Sequence, residues 1–144
     1  SYECPYTELS VFEPAQKDER IGLWDNDVVE AFIAPQPDRV KAYTEYEWAP
    51  NGESLDLKID LPQKDFAWSS RMESAVQIDE QAKVWRLEAR IPWQAFADSK
   101  PERGARWRIN LYRFDKKNRA YLAFSPTLTG TFHTPDRFGW LEFQ

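Results

Sequence analysis

Histidine, cysteine and methionine occur once each in these 144 residues, as His133, Cys4 and Met72, and each scarcity removes a class of chemistry. A single cysteine excludes an internal disulfide and a thiolate metal cluster. A single histidine removes nearly every zinc arrangement, the usual Ser-His-Asp triad and histidine-pair iron sites. Met72 and His133 make a viable axial pair for haem, an argument from composition alone. No uncharged stretch is long enough to cross a bilayer. The net charge of −5 argues against a phosphate-backbone binder. The local basic run from Arg103 to Arg119 alternates between both faces of a strand and its turn, as a solvated edge does. No nucleic-acid or membrane partner is therefore expected.

Aromatic residues are abundant: seven Trp, six Tyr and nine Phe. Most fall in short alternating runs. Leu55, Leu57, Ile59 and Leu61 alternate with Asp56, Lys58 and Asp60; Trp85, Leu87, Ala89 and Ile91 alternate with Arg86, Glu88 and Arg90; Trp107, Ile109 and Leu111 alternate with Arg108, Asn110 and Tyr112. Period-2 patterning of this kind predicts half-buried antiparallel strands. Further strands are predicted at Val28 to Ile33, Val40 to Trp48, Met72 to Ile78, Ala120 to Ser125 and Gly139 to Phe143. Pro50-Asn51-Gly52, Asp79 to Lys83 and Asp115 to Arg119 supply the turns. The pattern predicts one all-β domain over residues 1–144, an antiparallel β-sandwich with one short helix from Pro92 to Phe96.

The segment Leu23-Trp24-Asp25-Asn26-Asp27-Val28-Val29-Glu30-Ala31-Phe32 carries the functional signal. Strand geometry puts Glu30 on one face between Val28 and Phe32. A carboxylate flanked by apolar residues needs a specific partner or the wet mouth of a site. Arg113 ends the apolar row of Trp107, Ile109 and Leu111, so a Glu30 to Arg113 pair is expected, either as a structural ion pair or as two groups that also bond a ligand. Trp48, Trp85, Trp93 and Trp107 read as core. Trp24, Trp68 and Phe132 sit at loop level, and exposed rings mark binding surfaces. A pyranose stacks its C–H face on such rings. A two-carboxylate glycosidase drawn from Glu30, Glu45, Glu47 and Asp27 stays open on the sequence.

In order along the chain, Leu23-Trp24-Asp25 to Phe32, Tyr43-Thr44-Glu45-Tyr46-Glu47, Pro50-Asn51-Gly52, Trp85 to Trp93, Trp107 to Arg113, Ser125-Pro126-Thr127, Phe132-His133-Thr134-Pro135 and Phe138-Gly139-Trp140-Leu141 together resemble the family 9 carbohydrate-binding modules. These belong to the wider DOMON-like sandwich superfamily. The resemblance implies a noncatalytic module, secreted or periplasmic, that holds a mono-, oligo- or polysaccharide, often at a chain end, between two aromatic walls. Such a module belongs to or works beside a polysaccharide-degrading enzyme. Trp24 takes the position of one wall and Glu30 that of a sugar-binding acid. Phe132 or His133 stands where the second wall is a Trp. Tyr46, Asn110, Tyr112 and Arg113 fall on strands that would line the cleft. No cofactor is implied beyond a structural calcium, for which Asp25 and Asp27 are the candidates. The family's N-terminal strands do not appear in the sequence, which leaves either an absent fragment or pairing with another chain. A sandwich that lost its sugar site and serves a structural or protein-interaction role is the alternative.

Overall fold

The computed structural model describes residues 1–96 and 100–144. Its ten strands are β1 (Tyr2–Pro5), β2 (Val28–Ala34), β3 (Ala42–Trp48), β4 (Ser54–Asp60), β5 (Gln63–Asp65), β6 (Glu73–Asp79), β7 (Val84–Arg90), β8 (Arg106–Asp115), β9 (Ala120–Ala123) and β10 (Gly139–Glu142). All pairings are antiparallel. A large sheet runs β10-β8-β2-β3-β4-β5, with β9 beside β10 on the same edge of β8, and a small sheet runs β1-β7-β6. The architecture is the expected all-β sandwich. The predicted helix is a single 3-10 turn, Trp93–Phe96. Among the described residues no helix is long and apolar enough to cross a membrane.

Alternation along the central strands fills two cores, one on each face of the large sheet. Val29, Ala31 and Ile33 of β2 join Tyr46, Trp48, Trp85, Leu87 and Trp107 between the two sheets. Val28, Phe32 and Ala34 join Tyr43, Leu55, Leu57, Ile59, Tyr112 and Phe114 on the other face. No second sheet covers that other face among the described residues. Leu23, Phe12, Phe132 and Phe138 cover it from the connecting segments. Every residue of β2 is therefore buried, Glu30 included.

Two four-residue hairpin loops are built alike. Asp79 accepts from the amides of Gln81 and Ala82, and Asp115 accepts from that of Asn118. Lys83 and Arg119 then take the left-handed conformation that closes each turn. Of the tryptophans expected in the core, Trp48, Trp85 and Trp107 are buried, but Trp93 is 42% exposed. The 3-10 turn sets its ring edge-on against Trp107 and Phe143, over the rim of the core.

Candidate functional site

Gly22 lies at φ 92°, a left-handed conformation that suits glycine, and it starts the 3-10 turn Leu23–Asp25. That turn drives Leu23 into the core and leaves Trp24 42% exposed. Trp24 is thus an open ring, as the sequence predicts. Glu30 is not at a wet mouth: it is 3% exposed. Register places it opposite Glu47 on β3 and Tyr112 on β8, while Phe32 stands opposite Glu45.

These neighbours put three carboxylates together on one face of the sheet. One oxygen from each of Glu30, Glu45 and Glu47 lies within 4.8 Å of the others, and all three residues are buried. Burial raises the pKa of each well above the ordinary carboxylate range. The Glu45 charge raises Glu30 further, the Glu30 and Glu45 charges raise Glu47 further, and Lys64 opposes the rise in all three. No hydrogen bond joins Glu45 and Glu47 as they are placed, and one would need a proton on either carboxyl.

His133 borders this cluster. Its ring stacks on Phe32 with centroids 5.2 Å apart, Nε2 meets Lys64 Nζ at 2.6 Å and Nδ1 meets the Tyr43 hydroxyl at 2.8 Å. An ammonium can only donate, so Nε2 accepts and Nδ1 carries the proton, donating it to Tyr43. Burial, then the Lys64 charge, lowers the His133 pKa to about 4. Its 3.8 Å approach to Glu45 is accordingly a contact with a neutral ring, not an ion pair.

The other predicted site residues divide between the two faces. Arg113 stands opposite Val29, not Glu30, and its guanidinium donates to the Pro5 carbonyl at 2.6 Å and to Asp115 at 3.2 Å. The expected Glu30 to Arg113 pair does not form, because an antiparallel register in steps of two sends the two side chains through opposite faces. Tyr46 likewise points between the sheets and stacks on Trp48 with centroids 6.0 Å apart. Tyr112 does share the face of Glu30. Asn110 donates to its hydroxyl at 2.8 Å, which donates in turn to the Phe132 carbonyl at 2.9 Å. Asn110 is occupied with Ser125 as well, accepting from its amide and donating to its carbonyl, both at 2.8 Å. Met72 packs between the sheets, on the opposite side of the large sheet from His133, so the two cannot serve one haem. Asp27 is a staple: it accepts from the amides of Ser10 and Lys116 and joins two connecting segments. Asp25 is exposed.

Phe132 is half-buried and lies flat on Tyr112, ring centroids 4.1 Å apart, with Tyr121 edge-on at 5.9 Å. Outside it runs an open groove of about 710 Å³ lined by Tyr121, Leu122, Leu128, Phe132 and the threonines 127, 129 and 131. Leu128 holds a left-handed φ of 57° and exposes its side chain. Glu30 belongs to the layer below, beside Tyr112, so Phe132 and His133 fill the space over the acidic cluster. The sequence reading overlooked Tyr121, whose exposed ring stacks on Phe114 at 4.5 Å. Its place in the apolar run Ala120-Tyr121-Leu122-Ala123, directly after the turn at Asp115 to Arg119, was the available signal. In the sequence Glu30, Glu45, Glu47 and Asp27 stand as equal candidates for a carboxylate pair, although the alternate spacing of Tyr43, Glu45 and Glu47 already places those three on one face.

The carbohydrate family 9 binding domain-like family model matches residues 6–144. An extracellular protein of Arthroderma benhamiae is 25% identical over 149 residues, which cover 94% of this chain and 65% of that protein. A proposed carbohydrate-binding protein of Bacteroides uniformis has the same fold with TM-score 0.72 at 22% identity, over 88% of this chain and 65% of that one. A family 9 carbohydrate-binding module of Caldicellulosiruptor kristjanssonii, solved in complex with glucose, superposes with TM-score 0.64 at 18% identity, over 93% of this chain and 65% of that one. The same organism's module has also been solved with cellotriose. The chain thus spans about 65% of the length of these relatives.

Proposed function

We propose that this chain, which belongs to the carbohydrate family 9 binding domain-like family, is a noncatalytic module that holds a saccharide on the loop-covered face of its large sheet. The observation that carries the reading is the open groove over Phe132, lined by Tyr121, Phe132 and Leu128 and by threonines 127, 129 and 131, whose hydroxyls also bond within the loop. Aromatic faces hold the C–H side of a sugar, and hydroxyls replace the hydrogen bonds its own hydroxyls lose to water. Trp24, exposed on its turn, is the further aromatic contact. The relatives solved with glucose and cellotriose make those sugars the first to test. Export follows on this reading, in keeping with an extracellular relative, as does service beside a polysaccharide-degrading enzyme.

The test is a titration of tryptophan fluorescence with glucose, cellotriose and a panel of other soluble saccharides, on wild type, Trp24→Ala and Tyr121→Ala. Saturable binding is expected, weakened about tenfold by loss of a stacking ring. A flat response across the panel in folded protein would remove the reading. It would assign the chain instead to a structural or protein-interaction role. One observation favours that second reading: Phe132 and His133 pack down on Tyr112 and Phe32, so the space over Glu30 is filled.

A further inference from the structure

We propose that Glu30, Glu45 and Glu47 form a site for a hard divalent cation of calcium size, inside the molecule between the large sheet and its loop cover. Two adjacent central strands supply the ligands, with Glu30 directly opposite Glu47 and Phe32 opposite Glu45. One oxygen of each carboxylate lies within 4.8 Å of the others. Two oxygens facing each other across a calcium ion, each about 2.3–2.6 Å from it, are separated by a similar distance.

The second observation is independent of that spacing. Glu47 is 0% exposed, and neither of its oxygens has a hydrogen-bond partner; nor has Glu45 Oε2. Buried polar atoms are nearly always paired, and a buried carboxyl without a donor has to hold either a proton or a cation, of which the cation engages all three acids at once. The groups packed around the cluster do not meet that demand. Lys64 acts on all three acids, but it is exposed and its ammonium is held by His133 Nε2 at 2.6 Å. One positive charge also stands against three carboxyl groups. The His133 Nδ1 proton goes to Tyr43, and the Tyr112 hydroxyl bonds the Phe132 carbonyl.

The donor set is all oxygen, with no thiolate or imidazole in the group of three. This favours calcium, magnesium or manganese over zinc or copper. Calcium tolerates irregular coordination, whereas magnesium demands a small octahedron. The aspartates suggested by the sequence are poorer ligands, because Asp27 is engaged by two amides and Asp25 faces solvent.

The experiment strips wild-type protein with EDTA and titrates it with calcium, magnesium and manganese chlorides by calorimetry and thermal unfolding, with no saccharide present. Metal and sugar readings thereby fail separately. A one-site calcium isotherm is expected, with Tm rising on the order of 8 °C at a hundred times Kd. Glu47→Gln should abolish both signals yet unfold in EDTA no earlier than stripped wild type, since burial and the neighbouring acids already hold the Glu47 carboxyl protonated there and glutamine is a neutral group of the same shape. If Glu47→Gln fails to fold, Glu45→Gln serves the same comparison. Asp25→Asn should retain the full response. Silence from all three metals, a calcium response that survives in the glutamine variant, or tighter binding of magnesium than of calcium would each overturn the assignment.

Discussion

Glu53 shows how a single buried acid can organise a connecting segment. Its carboxylate accepts from the Gln16 amide at 2.8 Å, Arg20 Nε at 2.7 Å and Asn51 Nδ2 at 2.9 Å. Burial pushes its pKa up, but these donors and the Arg20 charge together outweigh burial and hold it below the ordinary value. A carboxyl whose folded pKa is depressed stabilises the fold above its unfolded pKa, and that stability is lost as pH falls through the folded value. Glu53→Gln should therefore unfold more easily at pH 7, by about 1–3 kcal/mol. The gap to wild type should narrow as pH falls below about 4. Urea titrations at pH 7 and pH 3 read the difference. An equal gap at both values would mean that the charge contributes nothing.

At the level of elements, alternation made most strands legible. Residues such as Leu55, Leu57 and Ile59 must face one way to be buried, and β4 follows from that alone. Strand β5 was not legible, because Gln63, Lys64 and Asp65 are all exposed and carry no apolar signal. Partner choice was also hidden. Strand β8 reaches across the chain to β2, and only that register shows that Tyr112, rather than Arg113, shares a face with Glu30. The acidic cluster needed the β2 to β3 register as well as the spacing within each strand. The Trp24 turn was legible as a loop-level ring, while its dependence on Gly22 follows from the backbone. A Cβ at Gly22 would meet nothing closer than 3.9 Å, so the cost of a side chain is conformational and not a clash. Gly22→Ala should lose about 1–2 kcal/mol of stability from the left-handed φ. Because that turn also sets the Trp24 ring, saccharide affinity should fall with it. Unchanged urea unfolding in the variant would show that the turn readily relaxes.

At the scale of the whole molecule, the two faces of the large sheet are closed by different means. One is closed by strands β1, β7 and β6, whose backbone groups pair along their ladders. The other is closed by connecting segments tied down at separate points, among them Tyr112 to Phe132, Asn110 to Ser125 and His133 to Tyr43. A cover held by isolated bonds opens locally at a lower free energy than a hydrogen-bonded sheet. On the two proposals above, such opening would be the route by which an ion or a sugar hydroxyl reaches Glu30, which is 3% exposed when the cover is closed. Tyr112→Phe tests this directly. It keeps the ring that stacks on Phe132 and leaves the Phe132 carbonyl without the hydroxyl that donated to it. A loss of about 1–2 kcal/mol is expected. In hydrogen exchange it should appear as faster exchange across residues 126–134, with strands β1, β6 and β7 unaffected. Acceleration of both regions by the same factor would mean that cover and sandwich open as one unit. In that case the acidic cluster would be reached only through global unfolding, and calcium should then bind stripped protein at the global unfolding rate.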